Sequence, residues 1–143
     1  MNRIIIALFI FLLLIPNYLF GADNLIIDIY KIAGKTELQI SEILGNPITT
    51  EKTKQGPMCR YKNEIEIVFI KNQADWITVN NMGDALWNQT ALTLLGIKPV
   101  KPSFSNENTM NWDNFYIPNL REVMLAPKGN GKISYAYIKA FTK

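Results

Sequence analysis

The side chains that carry out most enzymatic chemistry are nearly absent from this sequence. Its 143 residues include no histidine and a single cysteine, Cys59. Without histidine there is no Ser–His or Cys–His nucleophile pair, and the commonest general base and zinc ligand is missing. One cysteine cannot build a thiolate metal site, and the glycines lie singly rather than in a phosphate-binding loop. The sequence therefore predicts no catalytic site, no metal and no cofactor.

Carboxylates are the remaining candidates for acid–base chemistry. Glu64 and Glu66 alternate along a predicted strand, which places both on one face. A solvated strand edge is the favoured interpretation, because no other catalytic candidate flanks them. Asp75, Asp84 and Asp113 are predicted at a strand start, a helix cap and a turn, where each has a structural role. An enzyme that depends on Glu64 and Glu66 is thus an alternative of low rank.

Aromatic residues are the better candidates for a functional site. In the last predicted strand of each half of the chain, Trp76 aligns with Tyr135, and Tyr137 follows on the same face. The residues between them are aliphatic or small. If those residues lie under the helices, the aromatic rings point to the other side of the sheet. Together with Tyr116 they are the predicted partner-binding residues, since aromatic side chains dominate binding hot spots.

A structural role for these aromatic residues is the competing interpretation. The rings would then pack on each other and on Trp112 and Tyr61, or lie under the long loops as a second small core. Large aromatic side chains are usually mostly buried, and this favours the structural role.

The N-terminal residues are typical of a secretory signal peptide. Arg3 precedes the apolar run Ile4–Ile15, and the small residues Gly21 and Ala22 provide a cleavage point. An uncleaved membrane anchor is the alternative, but the apolar stretch is short for a membrane span and is interrupted by Pro16. We therefore expect a periplasmic or secreted protein. It would have no lipid anchor, since no cysteine lies near the cleavage point, and no membrane contact after cleavage.

Cleavage of a signal peptide at residues 1–22 would leave a single domain, residues 23–143. The formal net charge of +3 comes from scattered residues and lacks the concentrated basic stripe of a nucleic-acid-binding protein. Cys59 is expected to be a small buried residue in a strand, and alone it cannot form an intramolecular disulfide.

The first half of that domain is predicted to contain two helices. Asp23 would cap the helix Asn24–Ala33. Thr36 and Gln39 form a capping box for the helix Glu37–Leu44, which a following Gly-x-Pro ends. A polar connection, Ile48–Gly56, then leads to three predicted strands: Met58–Lys62, Glu64–Lys71 and Ala74–Asn80.

The second half is predicted to repeat this pattern with one helix. Asp84 would cap the helix Ala85–Leu95, and the link Lys98–Asn108 follows. The predicted strands are Thr109–Asn114, Leu120–Ala126 and Lys132–Phe141. Because CRYKN (59–63) aligns with MNWDN (110–114) without a gap, residues 23–82 and 83–143 are interpreted as degenerate repeats. The predicted fold class is a two-layer α+β fold, order ααβββ–αβββ, with helices packed on one face of an antiparallel sheet.

One motif carries a family resemblance. Residues 34–47 spell G-x-T-x3-[IV]-x3-L-G-x-P. This resembles the opening of the SmpA/OmlA-type outer-membrane lipoprotein family, whose fold has two helices before a three-stranded sheet. The tandem arrangement is similar to the β-lactamase-inhibitor-protein fold, which contains two such repeats. The resemblance implies binding to other proteins at or beyond the cell envelope, but the family's lipobox cysteine is absent and no functional residue carries over.

These observations rank the possible functions. The favoured one is an exported, non-enzymatic protein-binding or scaffolding module of the cell envelope, whose partner is another envelope or extracellular protein. The first alternative is an inhibitor of a secreted or periplasmic enzyme, acting through the extra loop Phe115–Asn119 with its Tyr116. The carboxylate-dependent enzyme comes last.

Overall fold

The computed structural model describes residues 24–113 and 116–142. These residues form eight strands: β1 (Thr49–Lys52), β2 (Pro57–Tyr61), β3 (Ile65–Ile70), β4 (Gln73–Val79), β5 (Phe104–Ser105), β6 (Met110–Asp113), β7 (Leu120–Gly129) and β8 (Lys132–Ala140). All eight join one antiparallel sheet in the order β1-β2-β3-β4-β8-β7-β6-β5. Each half of the chain therefore meanders from an edge of the sheet to its centre, where β4 and β8 pair with each other.

Some sequence predictions concern other parts of the chain. The predicted signal peptide at residues 1–22 and the predicted cap Asp23 lie outside the described residues. Among the residues that are described, no helix has the length and apolar character needed to cross a membrane. The division of residues 23–143 into two repeats stays a prediction.

The predicted fold class, a two-layer α+β fold of order ααβββ–αβββ, is wrong. The sheet dominates the described residues, each half of it has four strands instead of three, and their only α-helix is α1 (Glu37–Leu44). The other helical pieces are short 3-10 segments at Ile29–Lys31, Lys62–Glu64 and Gln89–Leu95. Pieces of this length cannot form a continuous second layer.

The predicted helix Asn24–Ala33 fails because of contacts with a distant segment. The backbone amides of Ile26 and Ile27 both donate to the carbonyl of Leu94, over 2.9 and 3.3 Å. The amide of Ile27, which in the predicted helix would donate to the carbonyl four residues back, is bound to Leu94 instead. Among residues 25–33, only Ile29–Lys31 is helical, as a single 3-10 turn.

The predicted helix Ala85–Leu95 is shortened in a similar way. The amide of Trp87 donates to the carbonyl of Gly131 over 2.8 Å, so the start of this segment lies against the hairpin of β7 and β8. The last seven residues coil as a 3-10 segment, and Asn88 caps them in place of Asp84.

Two strands lie where the sequence predicted connections. β1 lies within the predicted connection Ile48–Gly56, and β5 lies within the predicted link Lys98–Asn108. All residues of both strands are exposed. Neither strand therefore shows the alternation of buried and exposed side chains that a half-buried strand has. Edge strands join a sheet through backbone hydrogen bonds, which any residue except proline can donate. The sequence pattern that identifies strands is therefore missing at both edges.

The turn residues at Lys71–Gln73, where Asn72 can take a positive φ, and at Gly129–Gly131 predict two hairpin turns, and both are confirmed. Between β3 and β4, Lys71 and Asn72 have φ values of 49° and 63°, and between β7 and β8, Asn130 and Gly131 have 55° and 68°. Positive φ at both central residues is the requirement of a tight hairpin turn whose twist matches the strands.

The core lies between the helical pieces and one face of the sheet. Buried strand residues alternate with half-exposed ones, as expected for a sheet that is covered on one side. Cys59 is fully buried, as predicted, and burial raises the pKa of its thiol. The largest buried side chains include Trp112, Phe69, Ile29, Ile32, Ile40, Ile65, Ile67 and Ile77.

The capping box of α1 is confirmed. The Gln39 amide donates to the Thr36 hydroxyl over 3.4 Å, and the Thr36 amide donates to the Gln39 side chain over 3.0 Å. These bonds satisfy two amides that a helix start otherwise leaves unpaired. They hold α1 so that Ile40 is buried against the sheet.

We expect Thr36→Ala to lower the free energy of unfolding by about 1 kcal/mol, because it removes the hydroxyl that accepts from the Gln39 amide. Urea unfolding followed by circular dichroism measures the change. Thr49→Ala is the matched control, since Thr49 is exposed on β1, and it should change stability by less than about 0.5 kcal/mol. Equal losses in the two variants would contradict the role of the cap.

We expect stability to fall as the pH rises from 10 towards 12, in part because of Tyr61. Burial, followed by the nearby Cys59 and Glu37, raises the pKa of Tyr61 to about 12. The unfolded chain loses this proton near pH 10. The contribution of Tyr61 is therefore complete below pH 10 and is lost as the pH rises through the folded pKa. Urea unfolding across this range should show a shallower decline for Tyr61→Phe than for the wild type, and identical slopes would contradict the assignment.

Candidate functional site

The sheet face that points away from the core is the candidate site. We call it the open face. It is formed by the alternate strand residues that lie between the buried ones: Met58, Arg60, Glu66, Val68, Trp76, Thr78, Asn111, Glu122, Met124, Tyr135, Tyr137 and Lys139. None of them belongs to the buried hydrophobic cluster of the described residues. With strands about 4.8 Å apart, a face of eight strands is roughly 34 Å wide.

The centre of the open face is aromatic. Trp76 on β4 and Tyr137 on β8 lie edge to face, with ring centroids 6.4 Å apart and planes inclined at 62°. The ammonium of Lys139 lies 4.5 Å from the centroid of the Trp76 ring, on the strand next to it. An aromatic pair in this geometry, with a cation over one ring, is held in a defined orientation.

A buried carboxylate fixes Lys139 in this position. Asp75 is 3% exposed and lies at an irregularity in the β3–β4 pairing, where the register shifts by one residue. It accepts hydrogen bonds from the Lys139 ammonium and the Thr142 hydroxyl. Because a buried carboxylate is costly unless it is paired, Asp75 restrains the side chain that covers Trp76.

Charged residues surround the aromatic centre. Towards the β1 edge, Arg60 pairs with Glu66 over 3.0 Å and with Glu51 over 3.5 Å. Towards the β5 edge, Glu122 accepts from the side-chain amide of Asn111 over 3.3 Å. The open face thus has an aromatic centre with a charged and polar rim, which is the composition of many protein–protein interfaces.

The electrostatic environment of Tyr137 reflects this arrangement. Burial raises the pKa of its hydroxyl, and the carboxylates of Glu122 and Asp75 raise it further. Like any tyrosine hydroxyl at neutral pH, that of Tyr137 is protonated, and it can donate a hydrogen bond to a partner.

The predicted partner-binding residues fall in two places. Trp76, Tyr135 and Tyr137 share the open face, and Tyr135 is 36% exposed. Tyr116 is 43% exposed and lines a separate groove of about 420 Å³ with Tyr30, where two prolines and Val100 also contribute. The fold therefore places Tyr116, which the sequence analysis assigns to the loop Phe115–Asn119, apart from the other three residues.

The structural role predicted for the aromatic stripe is confirmed in one part and wrong in another: Trp76 and Tyr137 contact each other, but the stripe does not pack on Trp112 and Tyr61. Both residues are buried on the opposite face of the sheet, since they occupy the alternate positions of β6 and β2. The indole Nε1 of Trp112 donates to the carbonyl of Val100 over 2.8 Å. By contrast, the indole Nε1 of Trp76 is buried and has no acceptor within the described part of the chain.

Glu64 and Glu66, the two carboxylates predicted on one strand, lie on different elements. Glu64 lies in a turn with φ of 58° and accepts from the Asn81 side chain over 3.4 Å. Glu66 pairs with Arg60, and both glutamates line a shallow groove of about 590 Å³ near the β1 edge. No group of three or more potential metal-ligating side chains is found among residues 24–113 and 116–142.

Structural roles predicted for three aspartates need correction. Asp75 is not at a strand start but at the pairing irregularity inside the sheet. Asp84 caps no helix and instead pairs with Lys132, whose hydrogen bond lowers the pKa of that carboxyl. Asp113 lies in β6 and not in a turn.

Sequence reasoning missed three residues of the site, Met124, Lys139 and Glu122. A period of two in β7 and β8 places them on the same face as Tyr137, and this signal was available. Only the pairing of β7 with β8, however, makes Met124 and Glu122 neighbours of Tyr137 and Lys139.

We expect Trp76→Ala to lower the free energy of unfolding less than Ile77→Ala does, although tryptophan is the larger side chain. Trp76 is partly exposed on the open face, so we expect a loss of about 1–2 kcal/mol. Ile77 is fully buried on the other face, and its truncation should cost about 2–5 kcal/mol. Urea unfolding measures both. A loss for Trp76→Ala equal to or above that for Ile77→Ala would show that the aromatic residues form a second core.

Comparison with known proteins adds no family assignment to this geometry. No family model matches the chain, and no match was found among curated proteins or solved structures. The proposals that follow therefore depend on the residues and contacts described above.

Proposed function

We propose that this protein is an exported, non-enzymatic binding module of the cell envelope that holds another protein on the open face of its sheet. The observation that carries the proposal is the half-exposed aromatic pair of Trp76 and Tyr137 at the centre of the open face, with Met124 beside them. Aromatic residues and methionine are enriched at interface centres, where they contribute most of the binding free energy. A periplasmic or extracellular location is inferred from the predicted signal peptide.

The side chains at the centre of the open face are held in fixed conformations, and this supports the proposed function. Lys139 is held by Asp75 and covers Trp76, so both side chains are fixed before a partner arrives. Binding then costs little side-chain entropy. The open face is roughly 34 Å wide, and this width suits a typical interface, which takes roughly 800 Å² from each partner.

An inhibitor of a secreted or periplasmic enzyme is the second candidate function. The observation that favours it is the exposed ring of Tyr116, which lies beside Pro118 at a groove away from the open face. An exposed aromatic side chain is the kind of group that fits an enzyme's cleft. In this case the partner would be lost when Tyr116 is changed and kept when Trp76 is changed.

Affinity capture from envelope and culture-fluid proteins, read by mass spectrometry, tests both functions. We expect the full-length chain, exported with its own N-terminus, to retain a stoichiometric partner. Trp76→Ala should reduce its affinity at least about tenfold, the effect of removing a hot-spot ring. Tyr116→Ala is the matched control and should have no effect. The converse pattern would support the inhibitor, and the absence of any partner with a folded protein would contradict both functions.

A further inference from the structure

The strand β1 forms one edge of the sheet, and part of its backbone is free to pair with another chain. The amide of Thr53 donates to the carbonyl of Gly56 over 3.0 Å, and in the same register Glu51, two residues earlier, bonds to β2. Backbone groups alternate in direction along an antiparallel strand, so the N–H and C=O groups of Thr50 and Lys52 point away from β2. Within the described part of the chain β1 is the last strand on that side, so these groups have no neighbouring strand.

Lysine side chains give this corner of the sheet a positive charge. Lys52 on β1, Lys54 in the turn after it and Lys71 in the turn between β3 and β4 are all exposed. None of the three makes an ion pair with any residue in 24–113 or 116–142. The two turns lie close together, since a Cβ added at Gly56 would overlap the carbonyl oxygen of Phe69 at the end of β3.

The carboxylate nearest to these lysines lies on the other face of β1. Glu51 pairs with Arg60 over 3.5 Å on the open face, whereas Lys52, the next residue, points to the opposite face. A second copy of β1 is a poor match for this edge. Antiparallel pairing that uses the free groups of both Thr50 and Lys52 would set the two copies of Glu51 opposite each other, which is destabilising.

We propose that an extended, acidic segment of another protein adds to β1 as a further strand of the sheet. Its backbone pairs with Thr50 and Lys52, and carboxylates at alternate positions lie beside Lys52 and Lys54. In strand addition the main-chain hydrogen bonds give affinity, and the alternate side chains give specificity. Lysines on an edge keep like edges apart and admit a strand of opposite charge. This surface is separate from the open face, so the inference does not rest on the proposed function.

A short peptide tests the proposal directly. The acetylated peptide amide Glu-Thr-Glu-Thr-Val-Thr places its carboxylates beside Lys54 and Lys52 when it lies antiparallel to β1, and the reversed sequence covers the parallel arrangement. Either is titrated to millimolar concentrations into the isotope-labelled chain, exported with its own N-terminus, and backbone amides are followed by NMR. We expect saturable shifts in β1 and slower hydrogen exchange at the amides of Thr50 and Lys52. The amide of Glu51, which is directed at β2, should change little.

Two modified peptides separate strand pairing from charge. A peptide N-methylated at the residues opposite Thr50 and Lys52 cannot donate to β1, and it should bind at least about tenfold more weakly. Replacing both glutamates by glutamine should weaken binding about threefold or more. Equal binding of the N-methylated peptide would show that any polyanion, such as an anionic lipid surface, is sufficient, and would overturn the proposal.

Matched variants of the protein locate the contact. Thr50→Pro removes the free donor at a position where an edge strand tolerates proline, and it should weaken binding at least about tenfold. Thr50→Ala keeps the donor and is its control. Lys52→Gln combined with Lys54→Gln should weaken binding about threefold or more. Lys62→Gln combined with Lys128→Gln removes the same charge from exposed lysines outside this corner and should have no effect.

Three results would refute strand addition at β1. They are the absence of a saturable shift with both peptides in a folded protein, equal binding by folded Thr50→Pro and Thr50→Ala, and equal losses in the two lysine double variants. Affinity capture on the open face is a separate experiment, and Trp76→Ala should leave peptide binding unchanged. Failure of the proposed function and failure of this inference are therefore distinguishable.

Discussion

The antiparallel pairing of β4 with β8 holds the two halves of this protein together. Each half forms its own four-stranded meander, and the register pairs from Trp76↔Lys139 to Val79↔Ala136 turn two small sheets into one. On one side this pairing joins Ile77 to Ile138 in the core. On the other side it sets Thr78 beside Tyr137 and Trp76 beside Lys139. The core and the open face are thus consequences of the same hydrogen-bonded register.

The two faces of the sheet serve different purposes. The covered face buries aliphatic side chains under α1 and the short 3-10 segments, and its stability comes from this core without a disulfide among the described residues. The open face keeps rings, charges and amides in contact with water. Its central groups are nevertheless ordered, because the buried Asp75 binds Lys139 and Lys139 covers Trp76. A face that is both ordered and uncovered is well suited to recognition of a partner.

Charge divides the open face into regions. Near the β1 edge, Arg60 is shared between Glu51 and Glu66. Between the centre and the β5 edge, Glu122 and Asp113 are register partners, and both line a groove with Phe104 and Phe141.

The sequence by itself determined the local features. The capping box of Thr36 and Gln39, the hairpin turns at Asn72 and Asn130–Gly131 and the burial of Cys59 follow from residue types within a few positions of each other. The shared face of Tyr135 and Tyr137 also follows, because side chains alternate along any strand, whereas Trp76 joins them through the pairing of β4 with β8.

Only the tertiary structure decided the rest. Ile26, Ile27 and Trp87 bond to distant carbonyls, and the two segments they start contain only short 3-10 pieces, so the predicted α+β order was wrong. The edge strands β1 and β5 are held by backbone bonds to neighbours, which side-chain patterns do not report. In the same way, Asp75 binds Lys139, and Glu122 lies opposite Asp113, because separate strands are paired in one register. Local preference fixes turns and caps, but strand pairing decides which surface side chains become a site.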